Sequence, residues 1–461
     1  MENSIRITRC LLILVIIVFM CGYVNAQSWF PVGYPGFSSG ASKASSIVID
    51  KNGIPYVLYL EDADSDYATV MKFSDNTWQP LGSEGLVLFE FTPSIAIDHN
   101  GIPYVAYSYG SGVGTVENYI SGNWQLVMGT SPLSWSAFGT SIAIDTGNTP
   151  YVAYQDANYN YRATVKKFND TGWVILGNEG FSAVGTKNIT IAIDKNGTPY
   201  IAYQNDTFPN YSFGSGPVTV MKYNGSSWVT VGLAGFSAGK ADFPSLAIDS
   251  SGTPYVVYSD SVFGYKATVM KFIDTAWVSV GTPGFSAGRA QYTTIAINPA
   301  GMPYVTYEDG GNNNKATVMK YNGSSWGSVG TAGFSDGGVQ FTSITIDTGG
   351  TFYVVYSDSV KGNKTTVMKY GWPEQVTNTS NTWSALTAFP NPSHGSFTLH
   401  VSTSITEDAQ IIITNVVGEK VKELTATTNT DIPVQLDTPP GIYFISAITT
   451  QGTQTSKMVV W

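Results

Sequence analysis

Apolar and polar residues alternate with period two through most of this chain, in short runs broken by glycine, proline, asparagine and aspartate. Such alternation marks strands with one buried face. Residues 245–281 show it best. "SLAID" (245–249), "PYVVYSD" (254–260), "KATVMKF" (266–272) and "WVSVG" (277–281) are four strand signals in a row, rich in β-branched and aromatic residues. The unit then repeats. The first tyrosine of the "PYVVY" run recurs as Tyr56, Tyr104, Tyr151, Tyr200, Tyr255, Tyr304 and Tyr353, and a tryptophan keeps the same beat as Trp29, Trp78, Trp124, Trp173, Trp228, Trp277 and Trp326. A period of roughly 49 residues with four strands per unit fits a propeller blade and is too long for leucine-rich or ankyrin repeats. No stretch shows a helical period. The pattern therefore predicts an all-β chain built on a seven-bladed β-propeller of four-stranded blades.

The ends of the array predict how the ring closes. The last repeat has three strands, "SITID" from Ser343, "FYVVYSD" from Phe352 and "KTTVMKY" from Lys364, and stops at Trp372-Pro373-Glu374. The N-terminal segment "SWFPVG" (28–33) is an orphan fourth strand. Pairing the two completes the seventh blade and leaves no free sheet edge between the ends. This order places the tryptophan strand outermost and the "IAID" strand innermost. Between the first and second strands of a blade the turn Asp-x-x-Gly-x-Pro-Tyr recurs from Asp50, Asp98, Asp194 and Asp249, with Asn298 in blade 6. The short carboxylate bonds nearby backbone N–H groups, glycine accepts φ > 0 and proline presets φ, so a turn is the simplest reading; Ca²⁺ ligation is the alternative.

Residues 1–26 read as a cleaved secretory signal. Arg6 and Arg9 are followed by an apolar run from Leu11 to Met20 and by Val24-Asn25-Ala26, which sets cleavage between Ala26 and Gln27. Met20 before Cys21 is too bulky for a lipoprotein signal, and the apolar run is too short to span a bilayer. The propeller then occupies 27–372, a polar linker 373–385, and a small C-terminal β-sandwich 386–461.

Composition narrows the chemistry. The only cysteines, Cys10 and Cys21, lie in the leader, so the exported chain has no disulfide, thiol nucleophile or thiolate metal site. A net charge of −10 argues against nucleic acid and anionic lipid as partners. The three histidines, His99, His394 and His400, are scattered, and only Arg162 and Arg289 follow the leader, so neither a His₃ metal site nor a three-arginine carboxylate clamp can be built. No metal or cofactor and no transmembrane segment are expected, and the chain is read as a monomer.

The loops between second and third strands share a face with the long blade-to-blade loops, and that face is where a propeller gathers a ligand. Three sets of residues are candidates there. A charge pair six residues apart recurs as Asp156 and Arg162, Asp260 and Lys266, Asp309 and Lys315, and Asp358 and Lys364. It reads as a cross-strand ion pair or as a polar ring for glycan hydroxyls. An aromatic precedes the innermost strand as Phe91, Phe138, Phe243, Tyr292 and Phe341 and would ring the channel entrance. A third aromatic, Phe37, Phe181, Phe236, Phe285 and Phe334 in the "GFSAG" loops, is a wedge between blades or a platform for sugar rings. The expected function is binding of a glycan or other extracellular partner, with no enzymatic activity. An extracellular glycoside hydrolase or lyase using paired carboxylates, and a structural or adhesive surface protein, remain open alternatives.

The C-terminal unit carries short alternating strands, "SFTLHV", "QIIITNVV", "KVKELTA", "DIPVQL", "GIYFISAITT" and "KMVVW". It resembles the C-terminal sorting domain of the type IX secretion system. The matching residues are Phe389-Pro390-Asn391-Pro392 with Gly395 and Phe397, then Asn415-Val416-Val417-Gly418, Pro440-Gly441-Ile442-Tyr443-Phe444 and Lys457-Met458-Val459-Val460. The resemblance implies a Gram-negative cell of the Bacteroidota kind and a partner in the secretion machinery of the outer membrane. It also implies cleavage of this domain and a cargo released or anchored at the surface. The propeller repeats are similar to those of secreted bacterial proteins with "GTPYVAY…KATVMKF…W…VG…GFSAG" units, a likeness that implies no chemistry.

Overall fold

The computed structural model describes residues 27–61, 67–82, 93–110, 112–127, 133–206, 216–371, 386–403, 405–416, 419–449 and 452–461. The leader with Ala26, the linker, Phe91 and Gly418 lie outside them. The chain divides into two compact units, Met1–Pro373 and Glu374–Trp461.

The first unit is a ring of seven four-stranded antiparallel sheets. Blades 1 to 7 begin with inner strands Ser42–Ile49, Ser94–Ile97, Ala137–Ile144, Gly185–Ile193, Ala241–Ile248, Ala290–Ile297 and Val339–Ile346. Six blades are four strands in chain order. The seventh takes its outer strand from the other end of the chain, with Ser28 opposite Gly371 and Pro31 opposite Met368. The closure expected from the orphan strand is thus the one formed.

Burial explains the repeat chemistry. The second strands are buried on both faces, which is why they read as near-continuous Tyr/Val runs; Val57, Val105, Val152, Ile201, Val256, Val305 and Val354 are each 0% exposed. The core of the ring is divided into seven clusters, one at each blade interface, including that between blades 7 and 1 (Val355 and Val367 with Ile47, Val57 and Tyr59). Each interface is also pinned by its tryptophan. The indole N–H of Trp78, Trp124, Trp173, Trp228, Trp277 and Trp326 donates to a backbone carbonyl of the preceding blade's outer edge at 2.6–2.8 Å, and Trp29 does so to Val329 O at 2.9 Å. The loop phenylalanines stack face to face on these indoles: Phe37 on Trp78, Phe181 on Trp228, Phe236 on Trp277, Phe285 on Trp326 and Phe334 on Trp29, with centroids 4.0–4.6 Å apart. They sit as wedges between blades, the first of the two expected readings for this set. Gly281 shows why the loop opens with glycine: φ is +70°, and a Cβ would sit 2.9 Å from Tyr321 and 3.0 Å from Trp326.

Two local features depart from the expected strands. The inner strands of blades 1 and 3 to 7 begin about four residues earlier than their clean alternation, across a β-bulge between positions such as Asp242 and Ser245. The second loop of blades 3, 5, 6 and 7 contains a single 3₁₀ turn, Ala157–Tyr159, Ser261–Phe263, Gly310–Asn312 and Ser359–Lys361.

The second unit is a β-sandwich. A three-stranded sheet (Leu386–Phe389, Ser396–Val401, Asp431–Gln435) faces a four-stranded one (Lys420–Thr427, Asp408–Asn415, Gly441–Thr449, Gly452–Val460) across its own core, with Leu399, Ile411, Ile413 and Ile445 at 0% exposure. The strand Leu386–Phe389 was not legible as an alternating run.

Candidate functional site

The bulges set the geometry of the channel mouth. In six blades the residue at the bulge has positive φ: Ala44 (50°), Gly139 (53°), Asn188 (49°), Phe243 (51°), Tyr292 (52°) and Phe341 (54°). Left-handed backbone is tolerated by glycine and asparagine and is costly for bulky residues. Blades 5, 6 and 7 nonetheless place an aromatic there. Tyr292 lies 4.9 Å from Phe243 and 4.7 Å from Phe341, ring centroid to ring centroid, at tilts of 45° and 48°. The three rings form an arc on one side of the mouth, facing Ala44, Gly139 and Asn188 across it.

They line a cavity of about 340 Å³ whose wall comes from all seven blades. Ser94 and, two residues beyond the bulge in five other blades, Ser46, Ser141, Thr190, Ser245 and Thr294 form a ring of hydroxyl-bearing residues in the same cavity. Ser141 Oγ accepts from Ile191 N at 3.1 Å, and Ser245 Oγ accepts from Ile295 N at 3.3 Å. A hydroxyl that accepts still has its proton to donate. Ser45 Oγ, Ser94 Oγ and Thr294 Oγ1 are buried with no protein partner.

Polar groups back the rim. Asn188 Nδ2 donates to Gln204 Oε1 (3.2 Å), Gln204 Nε2 to Asp242 Oδ1 (3.1 Å), and Gln291 Nε2 to Glu308 Oε1 (3.1 Å). Glu308 is 5% exposed. Burial pushes its carboxyl above the usual range, against the pull of Gln291 and Arg289. Burial, and then the charge of Glu308, raises the Tyr292 hydroxyl.

The other predicted residues fall as follows. Phe138 stands one position before the bulge, paired with Gln155, and its ring lies 5.5 Å from Tyr161, outside the arc. The four charge pairs are direct cross-strand partners at the second hairpin. Their carboxylates turn into the loop. Asp156, Asp260, Asp309 and Asp358 cap the 3₁₀ turns, accepting from Asn158 N, Val262 N, Gly311 N and Val360 N at 2.9–3.1 Å. Thr164, Thr317 and Thr366 hydroxyls donate to the second oxygen of Asp156, Asp309 and Asp358. Burial raises Asp260 and Asp358. Among the described ion pairs, none joins these aspartates to Arg162, Lys266, Lys315 or Lys364. Blade 2 departs in another way: Glu117 accepts the Tyr107 hydroxyl at 2.8 Å where blades 4, 5 and 6 present a methionine sulfur to the matching tyrosine.

No group of His, Cys, Asp and Glu able to hold a metal occurs among the described residues. No helix among them is long and apolar enough to cross a membrane.

In the C-terminal unit the motif residues knit its ends together. Asn391 Nδ2 donates to Lys457 O (2.6 Å) and its Oδ1 accepts from Val459 N (2.9 Å). The Tyr443 hydroxyl donates to Pro439 O at 2.7 Å, beside Gly441. Gly395 has φ +92°, and a Cβ there would lie 2.5 Å from Leu436 O. Pro390 and Pro392 follow cis peptide bonds. Residues 387–461 match the family model described as the secretion system C-terminal sorting domain. The chain carries a type IX sorting domain. It is a secreted or surface-exposed protein of a Gram-negative bacterium that has that system.

No curated protein matches the sequence. Among solved structures, a polysaccharide lyase described as an ulvan lyase is similar over 74% of this chain and 95% of its own, at 12% identity and a TM-score of 0.48. A sialidase of Trypanosoma rangeli is similar over 94% and 88%, at 10% identity and 0.45. The SapL1 lectin, solved with alpha methyl fucoside, is similar over 64% and 97%, at 14% identity and 0.43. At identities and scores this low, what those proteins bind or cleave stays with them.

Proposed function

We propose that the propeller is the binding module of this exported protein and takes a glycan at its channel mouth, and that the sorting domain hands it to the outer-membrane secretion machinery. The observation that carries this reading is the aromatic arc at positive φ. Holding a residue in a sparsely populated backbone region costs of order 1–3 kcal/mol. Ala44, Gly139 and Asn188 occupy the same position in other blades, so the fold does not require aromatics there. Aromatic faces beside hydroxyls and amides are what a sugar ring needs: apolar C–H faces stack, and equatorial hydroxyls bond. The experiment is a glycan array probed with leaderless protein and with the triple variant Phe243→Asn/Tyr292→Asn/Phe341→Asn. Saturable signals that the variant loses support the reading; no signal from either protein sinks it.

A second reading is a polysaccharide-degrading enzyme. It is favoured by Asp242 and Glu308, carboxylates on neighbouring blades that back the rim, the Glu308 carboxyl being raised by burial. It predicts release of reducing ends from a polysaccharide, abolished by Glu308→Gln. A structural or adhesive role without a small ligand predicts neither result.

A further inference from the structure

Resting on the glycan reading above, we infer that the channel-mouth site selects an uncharged sugar at the end of a chain. Three observations combine. Among the described residues that line the cavity, none is Asp, Glu, Lys, Arg or His. A carboxylate or sulfate taken into such a site loses its water and gains no cation, whereas neutral hydroxyls lose less and regain hydrogen bonds. The partners for those bonds are in place. Ser46, Ser141, Thr190 and Ser245 add hydroxyls to the wall, and Ser94 Oγ and Thr294 Oγ1, closed off from solvent, bond nothing in the protein, so a χ1 rotation turns either toward a ligand without breaking a hydrogen bond. A sugar hydroxyl, which both donates and accepts, matches a hydroxyl ring whatever its orientation.

The shape sets how the chain enters. Among the described residues the wall comes from every blade, from Ala44 and Pro93 round to Phe341, so the site is a depression encircled by the ring. A polymer lying across the face can offer it only an edge, while a chain end can enter. Its volume of about 340 Å³ is at the small end of ligand sites, which suits one or two sugar rings. The arc on blades 5 to 7 gives the terminal ring one face to stack on. The small residues opposite, with Gly139 in place of a side chain that would press on Gln155, leave room for the substituents of the other face.

Thr294→Val tests the hydroxyl ring without threatening the fold, since it keeps the shape and removes a group that bonds nothing in the protein. The probes are linear neutral tetrasaccharides (cellotetraose, xylotetraose, mannotetraose), acidic ones (tetragalacturonate, sialyllactose) and β-cyclodextrin, a closed neutral ring of sugars with no end. Titration calorimetry of the leaderless chain is run at low and at high NaCl. A neutral linear probe should bind with salt-independent affinity, cyclodextrin and the acidic probes should not, and Thr294→Val should weaken binding about tenfold at an unchanged melting temperature. Binding of the acidic probes alone, or affinity that collapses in salt, overturns the selectivity while leaving the glycan reading standing. Equal binding of cyclodextrin overturns the chain-end mode. No binding of any probe overturns the inference together with the reading it rests on.

Discussion

The seam of the ring is predicted to matter to stability as much as any internal blade interface. Blade 7 is held shut by a strand that joins it without a covalent link to its neighbours, through four paired residues, the Trp29 indole bond to Val329 O and the 4.0 Å stack of Trp29 on Phe334. Trp29→Phe keeps a ring in the stack and leaves the half-buried carbonyl unpaired, which should cost about 1–2 kcal/mol. Trp29→Ala also removes the ring. Large-to-small changes of this kind cost about 3–5 kcal/mol at buried sites, and Trp29 is only half-buried, so the lower end applies. The internal comparison is Trp228, which makes the same bond at 2.6 Å and the same stack inside a continuous blade. Urea unfolding of the leaderless chain, followed by tryptophan fluorescence, gives the midpoints. If closure is as tight as any other interface, Trp29→Phe and Trp228→Phe shift the midpoint by similar amounts. Deleting residues 27–33 should do more, because it bares the edge of Lys364–Gly371 and so invites association, visible by size-exclusion chromatography. An unchanged midpoint for Trp29→Ala, or a deletion that stays monomeric and equally stable, would refute the closure.

Other outcomes follow from the same geometry. Phe285→Ala, which removes a wedge from a blade interface, should lower stability by about 2–4 kcal/mol and leave glycan binding intact, whereas Tyr292→Asn should do the reverse. Gly281→Ala combines a φ of +70° with a contact under 3 Å and should destabilise by more than 1 kcal/mol in the same urea assay. Burial holds the Glu308 carboxyl above its ordinary value of 4.5, so the folded state binds its proton more tightly than the unfolded chain does. That contribution is full below the ordinary value and is lost as pH rises through the raised one. Unfolding free energy of the native chain should therefore fall relative to Glu308→Gln as pH rises above the ordinary value of 4.5, and parallel profiles would contradict the assignment. A chain truncated before residue 387 should fold and stay inside the cell envelope; its normal export would contradict the sorting role.

Much of this architecture was legible because each repeat states its own strands and turns, and the tryptophan beat marks the interface seven times over. The orphan "SWFPVG" and the missing last strand carried the closure. What alternation hid was the bulge, where one extra residue breaks the period and turns the backbone to positive φ. A signal was present. Phe138 stands three residues before its Ser/Thr partner Ser141, while Phe243, Tyr292 and Phe341 stand two before Ser245, Thr294 and Ser343. That one-residue step puts Phe138 outside the arc and the other three inside it. The Asp and Lys pairs misled in a different way. Their spacing does make them cross-strand partners, but a 3₁₀ turn offers the aspartate unsatisfied N–H groups closer than the base, and local capping wins. Glu308 was missed because nothing in a strand of "PYVTYED" distinguishes its position behind the rim from the capping Asp309 beside it.

A crystal structure of the leaderless chain soaked with a neutral oligosaccharide from the array decides whether the channel mouth binds a sugar. It should show a terminal ring against Phe243, Tyr292 and Phe341 with hydroxyls bonded to Ser94 and Thr294. Sugar density on the outer strands or the 3₁₀ loops, with the mouth empty, would contradict it.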